Sequence, residues 1–113
     1  MKLPNGGKAV VEIAKLRDYR LSASHPEGRH KARVFRAALG LGPADEVILQ
    51  KRLLAAGRNQ EAMVGEADEF GRRYVIDFVL EHRGRKALVR TAWIVLKTES
   101  FPRLTSCYVL RRL

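Results

Sequence analysis

The apolar residues of this chain change period at Gly57, and that switch limits what the chain can fold into. Downstream of it, Tyr74, Ile76, Phe78 and Leu80 alternate with Arg73, Val75, Asp77 and Val79, the period of two expected of a half-buried strand. Glu61 to Glu66 reads as a weaker strand, joined to this one through Asp68-Glu-Phe-Gly71. His82-Arg-Gly-Arg85 reads as a hairpin turn, and Lys86 to Lys97 as a long strand rich in Val, Thr, Trp and Ile. Thr98 to Pro102 then leads to a last strand, Leu104 to Leu110.

Upstream of Gly57 the spacing is helical. Pro4 to Gly7 reads as irregular, and Ala9 to Ile13 as either a short strand or the lead into a helix. Lys15 to Leu21 puts Ile13, Leu16 and Tyr19 on one side of a short helical segment, and Pro26 and Gly28 fix Ser22 to Gly28 as a loop. A central helix is expected from Arg29 to Leu39, stopped by Gly40 and Gly42. Pro43-Ala-Asp-Glu opens a third helix, which Val47, Leu49, Leu53 and Leu54 carry to a stop at Gly57. Helices followed by four consecutive strands with short links predict an α+β fold, with N-terminal helices packed on one face of a four-stranded antiparallel meander sheet. At 113 residues the expectation is a single domain over 1–113, with an irregular arm at 1–8, a mainly helical part at 9–57 and the sheet at 58–113.

The composition narrows the chemistry. The chain has 22 Lys+Arg against 12 Asp+Glu, a net charge of +10, and Arg outnumbers Lys by 15 to 7. A guanidinium grips phosphate with a planar fork, so the balance favours a polyanionic partner. Cys107 is the only cysteine, which excludes an internal disulfide and a Cys-based zinc site. No apolar run reaches the roughly 18 residues of a membrane helix, and Met-Lys-Leu-Pro-Asn-Gly-Gly lacks the apolar stretch of an export signal. The expectation is a soluble cytoplasmic protein.

The densest chemistry lies in His25-Pro-Glu-Gly-Arg-His-Lys-Ala-Arg-Val-Phe35, where a Pro/Gly turn delivers His25, His30 and several cations to the start of the central helix. On a helical projection Val34, Phe35, Ala38 and Leu39 form the apolar face, and Arg29, Arg33 and Arg36 lie opposite. Lys31 falls within the apolar face, so its ammonium must either clear the rim of the core or line a pocket. In the strands, Asp77, Arg90, Thr91, Trp93, Thr105 and Tyr108 are polar or amphipathic residues in apolar surroundings, and they are candidates for the sheet face that helices leave free. Arg90 is the most informative of them, with an ion pair to Asp77 as its simplest structural explanation.

Other chemistries fail for want of residues. The chain has no GxxxxGK[ST] or GxGxxG loop and no nucleophile elbow, and a metal site would have to use His25, His30 and His82 among repelling cations. What remains needs no metal and no cofactor. A His near its reference pKa of about 6.5 would act as general acid or base, Lys and Arg would stabilise charge on phosphorus, and RNA would supply its own 2′-hydroxyl nucleophile.

The runs HPEGRHKARVF, GRRYVIDF, VRTAWIV and FPRLTSCYV resemble, over nearly the whole chain, a bacterial family catalogued as a domain of unknown function. The order of helices and strands is similar to the metal-independent ribonuclease superfamily of barnase, EndoU, tRNA-cleaving colicins and RelE-type toxins. That likeness implies a scissile phosphate surrounded by a helix-borne His or Lys, a strand Arg and a last-strand Ser, Thr or Tyr. The positions matching in kind are His30, Lys31, Arg90, Thr105 and Tyr108, with His25, Arg29, Arg33, Arg36 and Trp93 as phosphate- or RNA-binding candidates. It also implies a small acidic antitoxin-like partner protein. The resulting expectation is an RNA-cleaving, toxin-like domain that acts on RNA, tRNA among the candidates. The alternative is a non-enzymatic basic module binding RNA or an acidic protein.

Overall fold

The computed structural model describes residues 1–16 and 29–113, with side chains from residue 31 onward in the second span. Strands β1 (Met63–Ala67), β2 (Gly71–His82), β3 (Arg85–Leu96) and β4 (Pro102–Arg112) form one antiparallel sheet in the order β1-β2-β3-β4, the expected meander. Helices α1 (Ile13–Lys15), α2 (Arg29–Leu39) and α3 (Glu46–Asn59) precede the sheet, with α2 against β3 and β4 and α3 against β2. The architecture is α+β, as the switch of period requires.

Alternation decides which face the helices cover. Tyr74, Ile76, Phe78 and Leu80 on β2 and Ala87, Val89, Thr91 and Trp93 on β3 are buried, and the apolar ones share a core with Phe35, Leu39, Leu49 and Leu53 of the helices. Thr91 and Trp93 therefore belong to the covered face and not, as expected, to the free one. Their polar atoms are paired inside it: the Trp93 indole donates to Thr91 Oγ1 at 2.8 Å, and the Thr91 hydroxyl donates to the Ile76 carbonyl at 2.9 Å. A buried indole N–H without an acceptor would be costly, and a threonine two residues back along the same face supplies one.

Gly57 does not end α3. The helix continues to Asn59, and a Cβ at Gly57 would stand 3.0 Å from Cη2 of Trp93. Here glycine serves the close approach of helix to indole and not a helix stop. Gly40, by contrast, closes α2 as expected, with φ 69°.

The N-terminal segment, expected as an irregular arm, carries a short 3-10 turn at Gly6–Lys8 against α3 and buries Leu3 in the core. In Ala9 to Ile13 both expectations apply in succession: Val10 bridges Arg103 in parallel at the outer edge of β4, and helix begins at Ile13. The helical reading of Lys15 to Leu21 lies mostly outside the described residues, as does the whole loop Ser22 to Gly28.

Candidate functional site

The turn between β2 and β3 fixes the register of the site. Arg83 and Gly84 both take positive φ, 52° and 80°, as a two-residue type I′ turn requires. His82 then pairs with Arg85, and counting outward from that pair places Asp77 directly opposite Arg90. On the far side of β3, Arg90 stands opposite Tyr108 of β4. Asp77, Arg90 and Tyr108 thus form one row across three strands, on the face away from the helical core.

Within this row the carboxylate takes two prongs of the guanidinium. Arg90 donates through Nε to Asp77 Oδ1 and through Nη2 to Asp77 Oδ2, each at 2.8 Å. The Arg90 hydrogen bonds, more than simple Coulomb attraction, hold the Asp77 carboxyl below the ordinary carboxylate range. Arg90 in turn is held more firmly protonated, first by Asp77 and then by Tyr108. A guanidinium carries five N–H donors and Asp77 engages two, so Arg90 retains donors for an anion in a fixed orientation. Its side chain is 38% exposed, which leaves those donors reachable from solvent.

Lys31 resolves the conflict its position creates. Ala32, Phe35, Ala38 and Leu39 of α2 are buried, whereas Lys31 is half-buried and places its ammonium 5.1 Å from the centroid of the Tyr108 ring. The stem covers apolar surface while the charge rests over an aromatic face, an arrangement worth about 0.5–1 kcal/mol where solvent is near. One helix cation and one strand cation therefore meet at Tyr108. His30 occupies the α2 position immediately before Lys31.

The remaining candidates are dispersed. Thr105 is exposed on β4, at the irregularity between the pairs Ala92↔Ser106 and Trp93↔Leu104. Arg33 and Arg36 are exposed on α2, and Arg29 belongs to the same helix. Trp93 is fully buried and presents no ring face to a base, which removes it from the nucleic-acid candidates. His25 lies outside the described residues. His82 is buried and donates from Nδ1 to the Leu39 carbonyl at 2.7 Å, so it ties the hairpin end of the sheet to the end of α2. Among the described residues no three of His, Cys, Asp or Glu gather as metal ligands, and no helix is long and apolar enough to cross a membrane. Asp77 takes the place expected of it as the ion-pair partner of Arg90. The two lie equally far from the hairpin turn, one before it and one after, which is why the register sets them opposite each other.

Comparison with known proteins gives a fold and a family. A chain of the "Contact-dependent growth inhibition toxin - immunity protein complex from Klebsiella pneumoniae 342" has a similar structure, with a TM-score of 0.70 at 12% sequence identity, over 92% of this chain and 95% of that one. At that identity the likeness is one of fold. No curated protein matches the sequence. Residues 2–111 match the model of a domain of unknown function, DUF6883, and the chain therefore belongs to that family.

Proposed function

We propose that this domain is a toxin-like, metal-independent ribonuclease whose site is the Asp77-Arg90-Tyr108 row of the sheet, with Lys31 of α2 beside Tyr108. The observation that carries the reading is the meeting of Lys31 and Arg90 at Tyr108, with Asp77 orienting the guanidinium from behind. Two cations from different elements beside one tyrosine suit a phosphodiester, whose developing charge they would stabilise. His30, one position before Lys31 on α2, is the proposed general acid or base for the 2′-hydroxyl attack, and Tyr108 or Thr105 orients the phosphate. Asp77 touches only Arg90 in this scheme and is a positioning residue. Fold likeness to a chain of a toxin–immunity complex supports a toxin-like role with a protein partner; the excess of cations suits a small acidic one that covers the site.

A binding module without catalysis is the second reading, favoured by the neutralisation of Arg90 by Asp77. Cleavage of tRNA in EDTA separates the two. The purified protein is expected to leave a cyclic or 3′ phosphate, and His30→Ala to lower the rate by roughly two to four decades with the melting curve unchanged. RNA that stays intact at high protein concentration would overturn the enzymatic reading.

A further inference from the structure

Arginines in this chain fall into two populations. Arg73, Arg90 and Arg103 each donate to a carboxylate, Asp68, Asp77 and Glu99 respectively, at 2.7–2.8 Å. Arg36, Arg83, Arg85 and Arg112 belong to the exposed arginines without a carboxylate ion-pair partner among the described residues, as do Arg33, Arg52, Arg58, Arg72 and Arg111. Among the described residues Lys86 has only Glu81 as a carboxylate partner, at 3.9 Å, with both side chains 57% exposed.

The fold brings Arg36, Arg85, Lys86 and Arg112 to one end of the sheet. The β2–β3 turn supplies Arg83 and Arg85, β4 ends beside it with Arg112 opposite Ala87, and the His82 bond to the Leu39 carbonyl holds the end of α2 there. A Cβ added at Gly40 would lie 3.6 Å from Arg85 Nη1, and one at Gly42 would lie 3.1 Å from Arg36 Nη1, so both guanidinium tips reach the turn after α2. Two open grooves result. One, of about 460 Å³, is lined by Arg85, Lys86 and Arg112, and the other, of about 380 Å³, by Arg36 and again Arg85. The carboxylate in the second groove, Asp45, accepts from the Gly42 N–H at 2.9 Å.

A second observation points the same way. Arg83 holds φ 52° at the hairpin tip, a conformation that costs a non-glycine residue about 1 kcal/mol and that Asn or Gly adopts more readily. A strained position occupied by a cation, next in the chain to Arg85 and Lys86, is unfavourable in the isolated protein and offset once a polyanion is bound.

We infer that this hairpin end is a second phosphate-binding surface, which grips the RNA backbone at a distance from the Arg90 site. The inference rests on the RNA reading above and extends it. Arg85 is five residues along β3 from Arg90, ~17 Å at about 3.3 Å per residue, and the odd offset points it to the opposite face, so a single strand occupying both would have to pass round the sheet and span several nucleotides. Among the described residues no aromatic side chain lines either groove, so these residues give base stacking no platform and a protein interface no aromatic anchor. Guanidinium contacts to phosphates remain, and they are indifferent to sequence.

The test uses a 2′-O-methyl RNA dodecamer, which lacks the nucleophile and cannot be cleaved, with affinity read by fluorescence anisotropy across a salt series. For Arg85→Ala/Arg112→Ala the affinity at about 0.1 M salt should fall on the order of ten-fold, and the log–log salt slope should flatten by about 1.4, or 0.7 for each lost contact. The single variants Arg36→Ala and Arg112→Ala, at exposed positions, should each flatten it by about half as much. No binding by the wild type, or a slope that ignores all three variants, would overturn the inference, as would weakened binding of poly-glutamate with the RNA unaffected. Binding that behaves as expected in a protein that cleaves nothing would sink the ribonuclease reading alone. Cleavage with an unaltered slope would sink this inference alone.

Discussion

The row through Arg90 and the hairpin end around Arg85 carry the same kind of side chain in opposite electrostatic states. At Arg90 the charge is answered by Asp77 through two hydrogen bonds of 2.8 Å, and the guanidinium plane is fixed. Around Arg85 the charges of Arg112 in one open groove and Arg36 in the other have no carboxylate ion-pair partner among the described residues. A fixed, partly satisfied cation suits a position where geometry decides the outcome, because its orientation is set before a ligand arrives. Loose, unpaired cations suit attraction, which depends on total charge and is screened by salt. Net charge alone does not distinguish these uses. The carboxylate partner does.

Removing each cation in turn is the sharpest way to break this contrast. Arg90→Ala should lower RNA cleavage by roughly two to three decades, the range for losing one preorganised donor to developing charge, and added salt should not reproduce the defect. Arg90→Lys should recover little, because an ammonium cannot fork to Asp77 and reach an anion together. Arg112→Ala should raise KM several-fold with kcat nearly constant, and the wild type should approach it as salt rises. If Arg90→Ala and Arg112→Ala gave the same kinetic pattern, the two regions would differ only in position.

Acid separates the regions by a smaller effect. The Asp77 carboxyl is held below its ordinary range by Arg90, so the pair's contribution to stability is fully present above the unfolded carboxylate pKa of about 3.9 and is lost as pH falls through the lower folded value. Asp68, Glu61 and Glu99 are lowered as well, so an Asp77→Asn variant should keep most of the wild-type acid sensitivity. It should take up fewer protons on unfolding, by a fraction of one, in the window below pH 4. Arg112→Ala should leave the acid limb unchanged, because Arg112 has no carboxylate partner among the described residues. Equal acid limbs for Asp77→Asn and wild type would mean that the pair is not formed in solution.

How much of this could be read from the sequence depended on whether the evidence was local. The strands were legible because Tyr74, Ile76, Phe78 and Leu80 repeat at the pleat, and Arg90 stood out as a cation among Leu88, Val89 and Ala92. Trp93, which as an aromatic in a strand is more often core than a stacking platform, was kept as a binding candidate although parity too argued against it: three residues from Arg90 along a regular strand means the opposite face. Thr105 resisted the same rule because the register of β4 shifts beside it, and a bulge leaves no local mark in Leu-Thr-Ser. Gly57 was mistaken for a stop because the indole that requires it is 36 positions away. The cluster of Arg36, Arg85 and Arg112 was invisible for the same reason, since only the bond between His82 and the end of α2 and the return of β4 bring those residues together.

The smallest expected effect probes why the hairpin end tolerates strain. Arg83→Asn converts the turn to Asn-Gly, the pair that a type I′ geometry favours, and removes one charge from a repelling cluster, so both changes should raise stability, together by about 0.5–1 kcal/mol. Arg83→Ala removes the same charge but keeps a side chain that disfavours φ 52°. Its melting midpoint should therefore lie below that of Arg83→Asn, and the gap between the two reports backbone strain free of the charge effect. RNA binding sorts the variants differently. Both lose one cation, so both should flatten the salt slope by about 0.7, whatever their stabilities. A stabilised Arg83→Asn with weaker RNA binding would show that the arginine is held in a poor backbone position for the sake of its charge. A stabilised variant that binds RNA as well as wild type would take Arg83 out of the surface and leave Arg36, Arg85, Lys86 and Arg112 to form it.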